Sequence, residues 1–401
     1  MKIGIITNLY PPYSRGGAEN IVVRTVERLQ ELDHDVFVIT GQPHWKRRGP
    51  KLGTASIERI YRFFPRNLYF VLDDFRIPKP IRLFWHIIDA ISPYGATRVK
   101  KILKVESPDV VITHNLKGIG LAIPRAMQEL GIPHIHIVHD LQLIFPSGLL
   151  YVGQEKVRWY EKPWISFYQA VCKYQFGKPD IVIFPSTYLT SFYREREFFM
   201  ESRVLTLPNP APRFAAIERD GRLDGPLRLL FVGQLEHHKG VDFLLDAIKD
   251  IKTDVQLIIA GEGTFSMRVK RLAEKDGRIN YLGFVSLEQL INCFGIIDAL
   301  VVPSLCYENS PTVIYEALNA GIPVLASDIG GVGELVEDKT NGILFHPGSK
   351  KDLLRAIEEM NAWKEEASEM QEEIQETVAP YAIEIYVDKL VQLIKSLKDV
   401  E

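Results

Sequence analysis

The sequence predicts an α/β protein composed of two doubly wound domains. Its 401 residues are more than one ordinary domain holds. Two series of short apolar strands alternate with helical patterns, and this alternation is typical of parallel sheets. The two series are separated by an irregular segment, Leu207–Pro226, which contains four prolines, two glycines and clustered charges.

The first series begins at the amino terminus with an apolar, β-branched run at residues 2–7. A loop rich in proline and glycine, a helical pattern at Ala18–Leu32 and a strand at Val36–Thr40 follow it. A secretory signal peptide is the competing interpretation of the first run, but Pro11 and Pro12 end that run too early. Further strands are predicted at Val110–Thr113, Ile135–His139 and Ile181–Phe184.

The second series is the more regular of the two. Its strands are predicted at Arg228–Val232, Val255–Ala260, Ile279–Leu282, Ala299–Val302 and Pro323–Ser327. An amphipathic helix is predicted near the end of the chain, at Tyr381–Leu397. We therefore expect one domain at residues 1–208, a second at residues 209–380, and a terminal helical segment at residues 381–401.

The composition is that of a globular protein in a reducing compartment. Hydrophobic residues make up 46% of the chain and charged residues 25%. No apolar run approaches the roughly 18 residues that a membrane span needs. The three cysteines are odd in number, widely spaced and without disulfide or metal-binding spacing. We expect reduced thiols, a cytoplasmic location and no nucleic-acid partner.

The net charge of −3 hides a difference between the two halves. Residues 1–200 carry 27 Lys and Arg against 18 Asp and Glu, whereas residues 201–401 carry 21 against 33. One interpretation is ordinary surface variation, and the other is that the first domain faces an anionic acceptor or a membrane surface. Aromatic residues mixed with Arg and Lys at 61–93 and 145–176 either cover a core or form an acceptor groove or interfacial surface.

A helix-start signal lies between two glutamates, Glu308 and Glu316. Ser310 is a typical N-cap and Pro311 a typical first helical residue. Because helical side chains lean towards the helix N-terminus, Glu316 can point at the same space as Glu308. Carboxylates bind sugar hydroxyls, and a helix N-terminus attracts phosphate. The combination suits a nucleotide sugar.

Three other constellations follow predicted strands. Gly16 and Gly17 join the first strand to the first helix, where a backbone can approach a ligand closely or simply turn. Lys239 precedes a helix in the second domain, where it either reaches a diphosphate or is a solvated surface lysine. His139 ends a strand of the first domain and is either structural or a ligand contact.

A metal site is not predicted. The run Asp33-His34-Asp35 resembles an acidic metal-binding pair. It lies in a helix-to-strand turn, at the edge of the sheet opposite the carboxyl ends of the strands where ligands bind, so we interpret it as a solvated turn. His114 is a weaker candidate than His139.

These motifs together resemble glycosyltransferase family 4. The ordered set is PPYSRGGAE (11–19), VHD (138–140), FVGQLEHHKG (231–240), IIAGEG (258–263), ENSPTVIYE (308–316) and GGVGELVEDKTNGILF (330–345). The resemblance covers nearly the whole chain and is weakest at residues 45–105 and 145–175. It implies a GT-B fold, in which two Rossmann-like domains flank a cleft, with the acceptor on the first domain and the donor on the second. In this family the terminal helix returns to the first domain, so residues 381–401 are expected to belong to that domain.

The resemblance also implies roles for individual residues. Glu308 would contact hydroxyls of the donor sugar, Glu316 the ribose hydroxyls, and Lys239 the diphosphate. Backbone N–H groups around Ser310, Pro311, Thr312 and Val313 would assist. Gly16 and Gly17 would close over the phosphates, and His139 would touch the transferred sugar. Glu262, Gly283 and Phe284 would lie near the base. Catalysis would retain the anomeric configuration and use neither a metal nor another cofactor.

One residue departs from the family pattern. Gln234 stands where the family commonly has an arginine that shares the diphosphate with the lysine. A neutral hydrogen bond contributes about 0.5–1.5 kcal/mol, against roughly 1.5–3 kcal/mol for a charged one. Arg15, in the glycine loop, is our candidate for supplying the missing charge.

The function implied is transfer of a hexose from a UDP- or GDP-linked donor to a glycan or lipid-linked acceptor. The setting would be cell-envelope or exopolysaccharide synthesis, in the cytoplasm and peripherally at the inner face of the membrane. A non-catalytic nucleotide-sugar sensor or partner subunit is the alternative, supported by Gln234. Another GT-B enzyme, such as a nucleotide-sugar epimerase, is a third interpretation.

Overall fold

The computed structural model of the protein divides the chain into two compact units. It describes residues 1–14, 16–44, 59–156, 158–159, 161–212, 214, 217 and 225–398. The first unit comprises Met1–Leu149, Val157–Asn209 and Ile383–Glu401, and the second comprises Leu150–Lys156 and Pro210–Ala382. The change of unit at Asn209 and Pro210 lies inside the predicted irregular segment. The short segment Leu150–Lys156, which the sequence assigned to the first domain, packs with the second unit instead.

The first unit is built on a parallel sheet, of which seven strands lie in the described residues. They are β1 (Lys2–Thr7), β2 (Asp35–Gly41), β3 (Ile60–Phe63), β4 (Val110–Thr113), β5 (His134–Ile137), β6 (Ile181–Phe184) and β7 (Arg203–Thr206). Their order across the sheet is β3-β2-β1-β4-β5-β6-β7. The chain therefore reverses its direction of winding between β1 and β4, which is where open α/β sheets bind ligands.

Six helices of the first unit follow these strands along the chain within the described residues. They are α1 (Gly17–Glu31), α2 (Lys79–Ile91), α3 (Tyr94–Glu106), α4 (Ile123–Leu130), α5 (Lys162–Phe176) and α6 (Thr187–Arg194). The α1 side chains Val22, Val26 and Leu29 are buried in one core with the strands. On α5, Phe176 makes an edge contact with the ring of His136 on β5.

The second unit has the same type of sheet, with six strands in the described residues. They are β8 (Leu227–Val232), β9 (Val255–Ala260), β10 (Ile279–Gly283), β11 (Ala299–Val302), β12 (Val324–Ser327) and β13 (Gly342–Phe345). The order is β10-β9-β8-β11-β12-β13, so the winding reverses between β8 and β11.

Helices of the second unit enclose this sheet. They are α7 (Val241–Ile248), α8 (Ser266–Ala273), α9 (Leu287–Phe294), α10 (Thr312–Asn319), α11 (Lys350–Glu369) and α12 (Gln371–Glu376). Two separate apolar clusters form its core, one with α7, α8 and α11 and the other with α9, α10 and α12. The last helix, α13 (Ile383–Lys398), belongs to the first unit and packs against α1.

The predicted strands agree with the structure to within two residues at each end. Three strands were missed, and each of them is an edge strand: β3, β7 and β13. Edge strands have one neighbour instead of two, so the long apolar run that marks a buried parallel strand is weaker there. No helix in the described part of the chain is long and apolar enough to cross a bilayer.

Candidate active site

The loops that follow β8, β9, β10, β11 and β12 meet at the carboxyl edge of the second sheet. The Leu235 N–H donates to the Glu262 carbonyl oxygen (2.9 Å), and the Gly261 N–H donates to the Gly283 carbonyl oxygen (2.7 Å). On the other side of β8, the Leu305 N–H donates to the His238 carbonyl oxygen (3.0 Å). Backbone hydrogen bonds therefore hold the predicted donor loops against one another.

Two glycines allow the closest approaches between these loops. Gly240 has a φ of +72°, and a Cβ atom there would lie 1.8 Å from the Pro303 carbonyl oxygen. Gly330 has a φ of +63°, and a Cβ atom there would lie 2.1 Å from the Glu308 carbonyl oxygen. The same carbonyl oxygen accepts the Gly331 N–H at 2.8 Å. Only glycine fits at either position, so the position of the Glu308 backbone is set by its neighbours.

Lys239 and Glu308 form an ion pair at the centre of this edge. Lys239 ends a short 3₁₀ helix, His237–Lys239, and its Nζ lies 2.6 Å from Oε1 of Glu308. The Ser304 hydroxyl donates to the same oxygen at 2.8 Å. The Lys239 side chain is 30% exposed and that of Glu308 12% exposed. The lysine is therefore not a solvated surface residue in this structure.

The pair keeps both groups charged although each is largely removed from water. For Glu308, burial alone would raise the pKa, but the Lys239 ammonium and the hydrogen bond from the Ser304 hydroxyl together outweigh it, so the pKa is lowered. For Lys239, burial alone would lower the pKa, but the Glu308 carboxylate outweighs it and the pKa is raised. A cation and a carboxylate are thus in direct contact beside the loop that leads into α10.

The helix start near Glu308 differs by one residue from the prediction. Helix α10 begins at Thr312, and Pro311 with a ψ of 119° occupies the N-cap position that we had assigned to Ser310. The Ser310 hydroxyl pairs instead with the Tyr315 hydroxyl (2.8 Å). Glu316 lies just over one turn inside α10 and is buried. The first-turn N–H groups of Thr312 and Val313 remain at the helix end, where an anion is favoured.

A strap formed by Leu150–Lys156 holds the residues immediately before Glu308. Tyr151 forms an antiparallel bridge with Cys306. The Val152 N–H donates to the Leu305 carbonyl oxygen (3.1 Å), and the Tyr307 N–H donates to the Leu150 carbonyl oxygen (2.8 Å). We did not foresee this strap, because its partners are more than 150 positions away and local periodicity carries no signal of them.

The remaining predicted donor residues line the neighbouring loops. Gln234 is half-buried in the loop after β8. Glu262 is exposed in the loop after β9, and Phe284 is 76% exposed directly after β10, next to Gly283 at the end of that strand. Their places at one edge of the sheet agree with the predicted contact to a base, and the contact itself stays a prediction.

Gly16, Gly17 and His139 belong to the first unit. Gly16 is the N-cap of α1, and its N–H donates to Oε2 of Glu19 at 2.8 Å. Glu19 is buried, so this contact fixes the end of the glycine loop against α1. Arg15, our candidate for the missing positive charge, lies outside the described residues.

His139 lies two residues beyond the end of β5, whereas we had placed it inside that strand. Its Nε2 lies 2.9 Å from Nδ1 of His114, and the two rings stack with centroids 5.2 Å apart. Burial lowers the pKa of His139 to about 4 and holds that of His114 well below its usual range. At neutral pH both rings are therefore uncharged, and one donates a hydrogen bond to the other. His114, the weaker candidate from the sequence, orients His139.

Asp140 follows His139 and is the other polar residue of this loop. Burial raises the pKa of its carboxyl to about 6, although the Gln142 N–H donates to Oδ1 at 2.8 Å. In the described residues, no group of three or more His, Cys, Asp or Glu side chains is arranged to hold a metal ion. The Asp33–Asp35 turn follows α1, and Arg59 pairs with Asp35 there.

Comparison with known sequences identifies two adjacent family regions. Residues 15–212 match the model described as Glycosyltransferase Family 4, and residues 214–377 match the model described as Glycosyl transferases group 1. A putative teichuronic acid biosynthesis glycosyltransferase, TuaC, from Bacillus subtilis is 26% identical over 92% of each chain. A GDP-mannose-dependent α-mannosyltransferase from Corynebacterium glutamicum is 24% identical over 90% of this chain and 80% of its own.

Comparison with solved structures gives the same fold. Anabaena Alr3699/HepE in complex with UDP-glucose has a TM-score of 0.69 and 18% identity, with coverage of 99% of this chain and 100% of its own. The likeness confirms the predicted fold of two Rossmann-like units, and the family models confirm the resemblance noted in the sequence. The chain belongs to glycosyltransferase family 4 and has the GT-B fold.

Proposed function

We propose that this glycosyltransferase moves a hexose from a UDP- or GDP-linked donor to a glycan or lipid-linked acceptor, with retention of anomeric configuration. It would act in cell-envelope or exopolysaccharide synthesis. The observation that carries the proposal is the Lys239–Glu308 pair, which lies at the carboxyl edge of the second sheet beside the start of α10.

The pair supplies the two kinds of group that a sugar diphosphate needs. The Lys239 ammonium would bind the diphosphate, and the Glu308 carboxylate would accept hydrogen bonds from the sugar hydroxyls beside it. Glu316, buried one turn along α10, would hold the ribose hydroxyls. Because Lys239 already bonds to Glu308, the arriving diphosphate would share or replace that contact.

In the reaction, the bond between the anomeric carbon and the diphosphate oxygen breaks, and a bond from that carbon to the acceptor oxygen forms. The acceptor hydroxyl would pass its proton to the departing diphosphate. Lys239 and the N–H groups at the start of α10 would stabilise the negative charge that develops on the leaving group. His139, neutral and oriented by His114, would touch the transferred sugar. This scheme requires no metal.

The donor base is either uridine or guanosine in this proposal. One relative carries GDP-mannose in its name, whereas the solved neighbour holds UDP-glucose. A nucleotide that binds the folded protein raises its melting temperature, so a thermal-shift comparison of UDP with GDP distinguishes the two. If neither UDP nor GDP raises the melting temperature, that result would count against the donor site.

We place the acceptor on the first unit and the enzyme in the cytoplasm, peripherally at the membrane. The excess of Lys and Arg in residues 1–200 favours an anionic or lipid-linked acceptor. The three cysteines are unpaired and buried, which suits a reducing compartment.

The stereochemistry and the metal requirement have their own tests. Proton NMR of the first product should show the anomeric configuration of the donor, and an inverted product would contradict retention. Turnover should persist in the presence of EDTA, and a complete loss that Mg²⁺ or Mn²⁺ reverses would contradict metal independence.

A further inference from the structure

The outward face of α2 has an unusual distribution of side chains. Ile81, Leu83, Phe84 and Ile91 are exposed, whereas Asp89, the one acidic residue of α2, is buried. A helix on the surface of a water-soluble domain normally shows the reverse distribution. This face therefore suits surroundings that are less polar than water.

Helix α5 packs against α2 and also carries exposed aromatic side chains. Phe167 is 61% exposed and Tyr174 is 66% exposed. Trp159, in the turn that leads into α5, is 82% exposed, and the Lys162 N–H joins that turn to α5 by donating to the Arg158 carbonyl oxygen (3.2 Å). We call the exposed side chains of α2 and α5, together with Trp159, the outer apolar face.

Cations border the outer apolar face. Lys162 is exposed at the start of α5. Lys178, just after the end of α5, is also exposed and pairs with the exposed Glu201 (3.7 Å). The Arg125 guanidinium lies 4.6 Å from the centroid of the Tyr174 ring. Helix α5 itself contains no acidic residue, although Glu161 precedes it. Exposed Trp, Tyr and Phe rings beside Lys and Arg match the level of a bilayer where acyl chains meet anionic headgroups.

We propose that the outer apolar face docks this chain on an anionic lipid bilayer. This docking deepens the proposed function and rests on it in one respect: a lipid-linked acceptor in the bilayer is the reason for this chain to bind there. Apolar rings would enter the headgroup region, and the bordering cations would pair with anionic lipids. A second copy of this chain is the alternative occupant that the experiment excludes.

The test is vesicle flotation of the full chain. The vesicles are phosphatidylcholine alone or phosphatidylcholine with about 30 mol% phosphatidylglycerol, an anionic lipid. We expect binding to the anionic vesicles that weakens in 1 M salt, where the Debye length falls to about 3 Å. Brominated phosphatidylcholine mixed into the anionic vesicles should quench tryptophan emission, and Trp159→Phe should lose most of that quenching.

Two sets of variants locate the surface. Phe84→Ser combined with Phe167→Ser should lower partitioning by about tenfold or more, because two rings no longer enter the bilayer. Met267→Ser combined with Ile296→Ser, which removes two exposed apolar side chains of the second unit, should bind like the parent. Lys162→Glu should weaken binding to anionic vesicles by about tenfold.

Equal binding of the Phe84/Phe167 variant and its control would overturn the proposal, as would absence of binding by the parent chain. Light scattering that shows a dimeric parent and a monomeric Phe84/Phe167 variant would overturn it, because the face would then be an interface between two copies of this chain. Release of nucleotide with a water-soluble acceptor should be unchanged in the Phe84/Phe167 variant. Vesicle binding without any nucleotide release would contradict the proposed function and leave the lipid-docking face supported.

Discussion

Lys239 Nζ and Glu308 Oε1 lie 2.6 Å apart, in a position that leaves little of either side chain in contact with water. The two residues are 69 positions apart in the chain, and the loops after β8 and β11 bring them together. Replacing one of them leaves the other charge without its partner, so the pair must be tested as a unit.

We expect Lys239→Met and Glu308→Gln each to lower the free energy of unfolding by about 1–3 kcal/mol, and the double variant to cost less than the sum. Urea denaturation of the four proteins gives the coupling energy. A coupling energy near zero would mean that the contact does not stabilise the second unit. All three variants should lose most of their turnover.

If its carboxylate holds the ribose hydroxyls, Glu316→Ala should raise the free energy of the transition state by about 1.5–3 kcal/mol. This corresponds to a fall in kcat/KM of roughly 10–150-fold. The matched control is Glu316→Gln, which keeps the side-chain size and removes the charge. Its kcat/KM should lie between those of the parent and of Glu316→Ala. Steady-state kinetics with the preferred donor measures this. An unchanged rate in Glu316→Ala would refute the assignment.

Gln234→Arg distinguishes a tuned enzyme from a sensor. A guanidinium in this loop should strengthen the contact with the diphosphate by about 1–2 kcal/mol. If the gain is felt only in the transition state, turnover rises about 5–30-fold. Gln234→Lys is the control for charge without the planar fork of arginine. Tight nucleotide binding without turnover in every form would favour the sensor.

The strap offers a test of how Glu308 is positioned. Val152→Pro removes the N–H that donates to the Leu305 carbonyl oxygen, whereas Val152→Ala shortens the same side chain and keeps that N–H. Loss of one backbone hydrogen bond corresponds to about 0.5–1.5 kcal/mol, so kcat should fall roughly 2–10-fold in the proline variant alone. Equal kinetics in the two variants would show that the strap does not position the site.

The buried histidines of the first unit predict a loss of stability in acid. Burial lowers the pKa of His134 from 6.5 to about 3. Between these values the unfolded chain binds a proton that the folded chain does not, so stability falls as the pH drops below 6.5. For His134 alone the effect at pH 5 is on the order of 2 kcal/mol.

The corresponding measurement is denaturant unfolding at pH 7 and pH 5. His134→Gln should reduce the difference in the free energy of unfolding between the two pH values by that amount. A His134→Gln protein with the parent's full pH dependence would contradict the argument.

The sequence predicted the buried strands well because both faces of a parallel sheet are covered, which gives long apolar runs such as Val255–Ala260. It missed β7 because that edge strand is partly exposed, with a polar residue at each end. The start of α10 was displaced by one residue because the Ser310 hydroxyl bonds to Tyr315 instead of capping the backbone.

Part of the geometry of the candidate site could be inferred for a similar reason. Lys239 and Glu308 each follow a strand, so their shared edge could be inferred, but their direct contact could not. The strap and the His114–His139 pair depend on residues brought together by folding, and neither leaves a periodic pattern in the sequence.

The most direct test of the central claim is release of nucleotide diphosphate from a panel of UDP- and GDP-hexoses in the presence of acceptor extracts. We predict release well above the hydrolysis background with one donor, and this release should depend on the extract and be mostly lost in Lys239→Met. Release at the hydrolysis background with every donor and extract would contradict the assignment of this chain as an active hexosyltransferase.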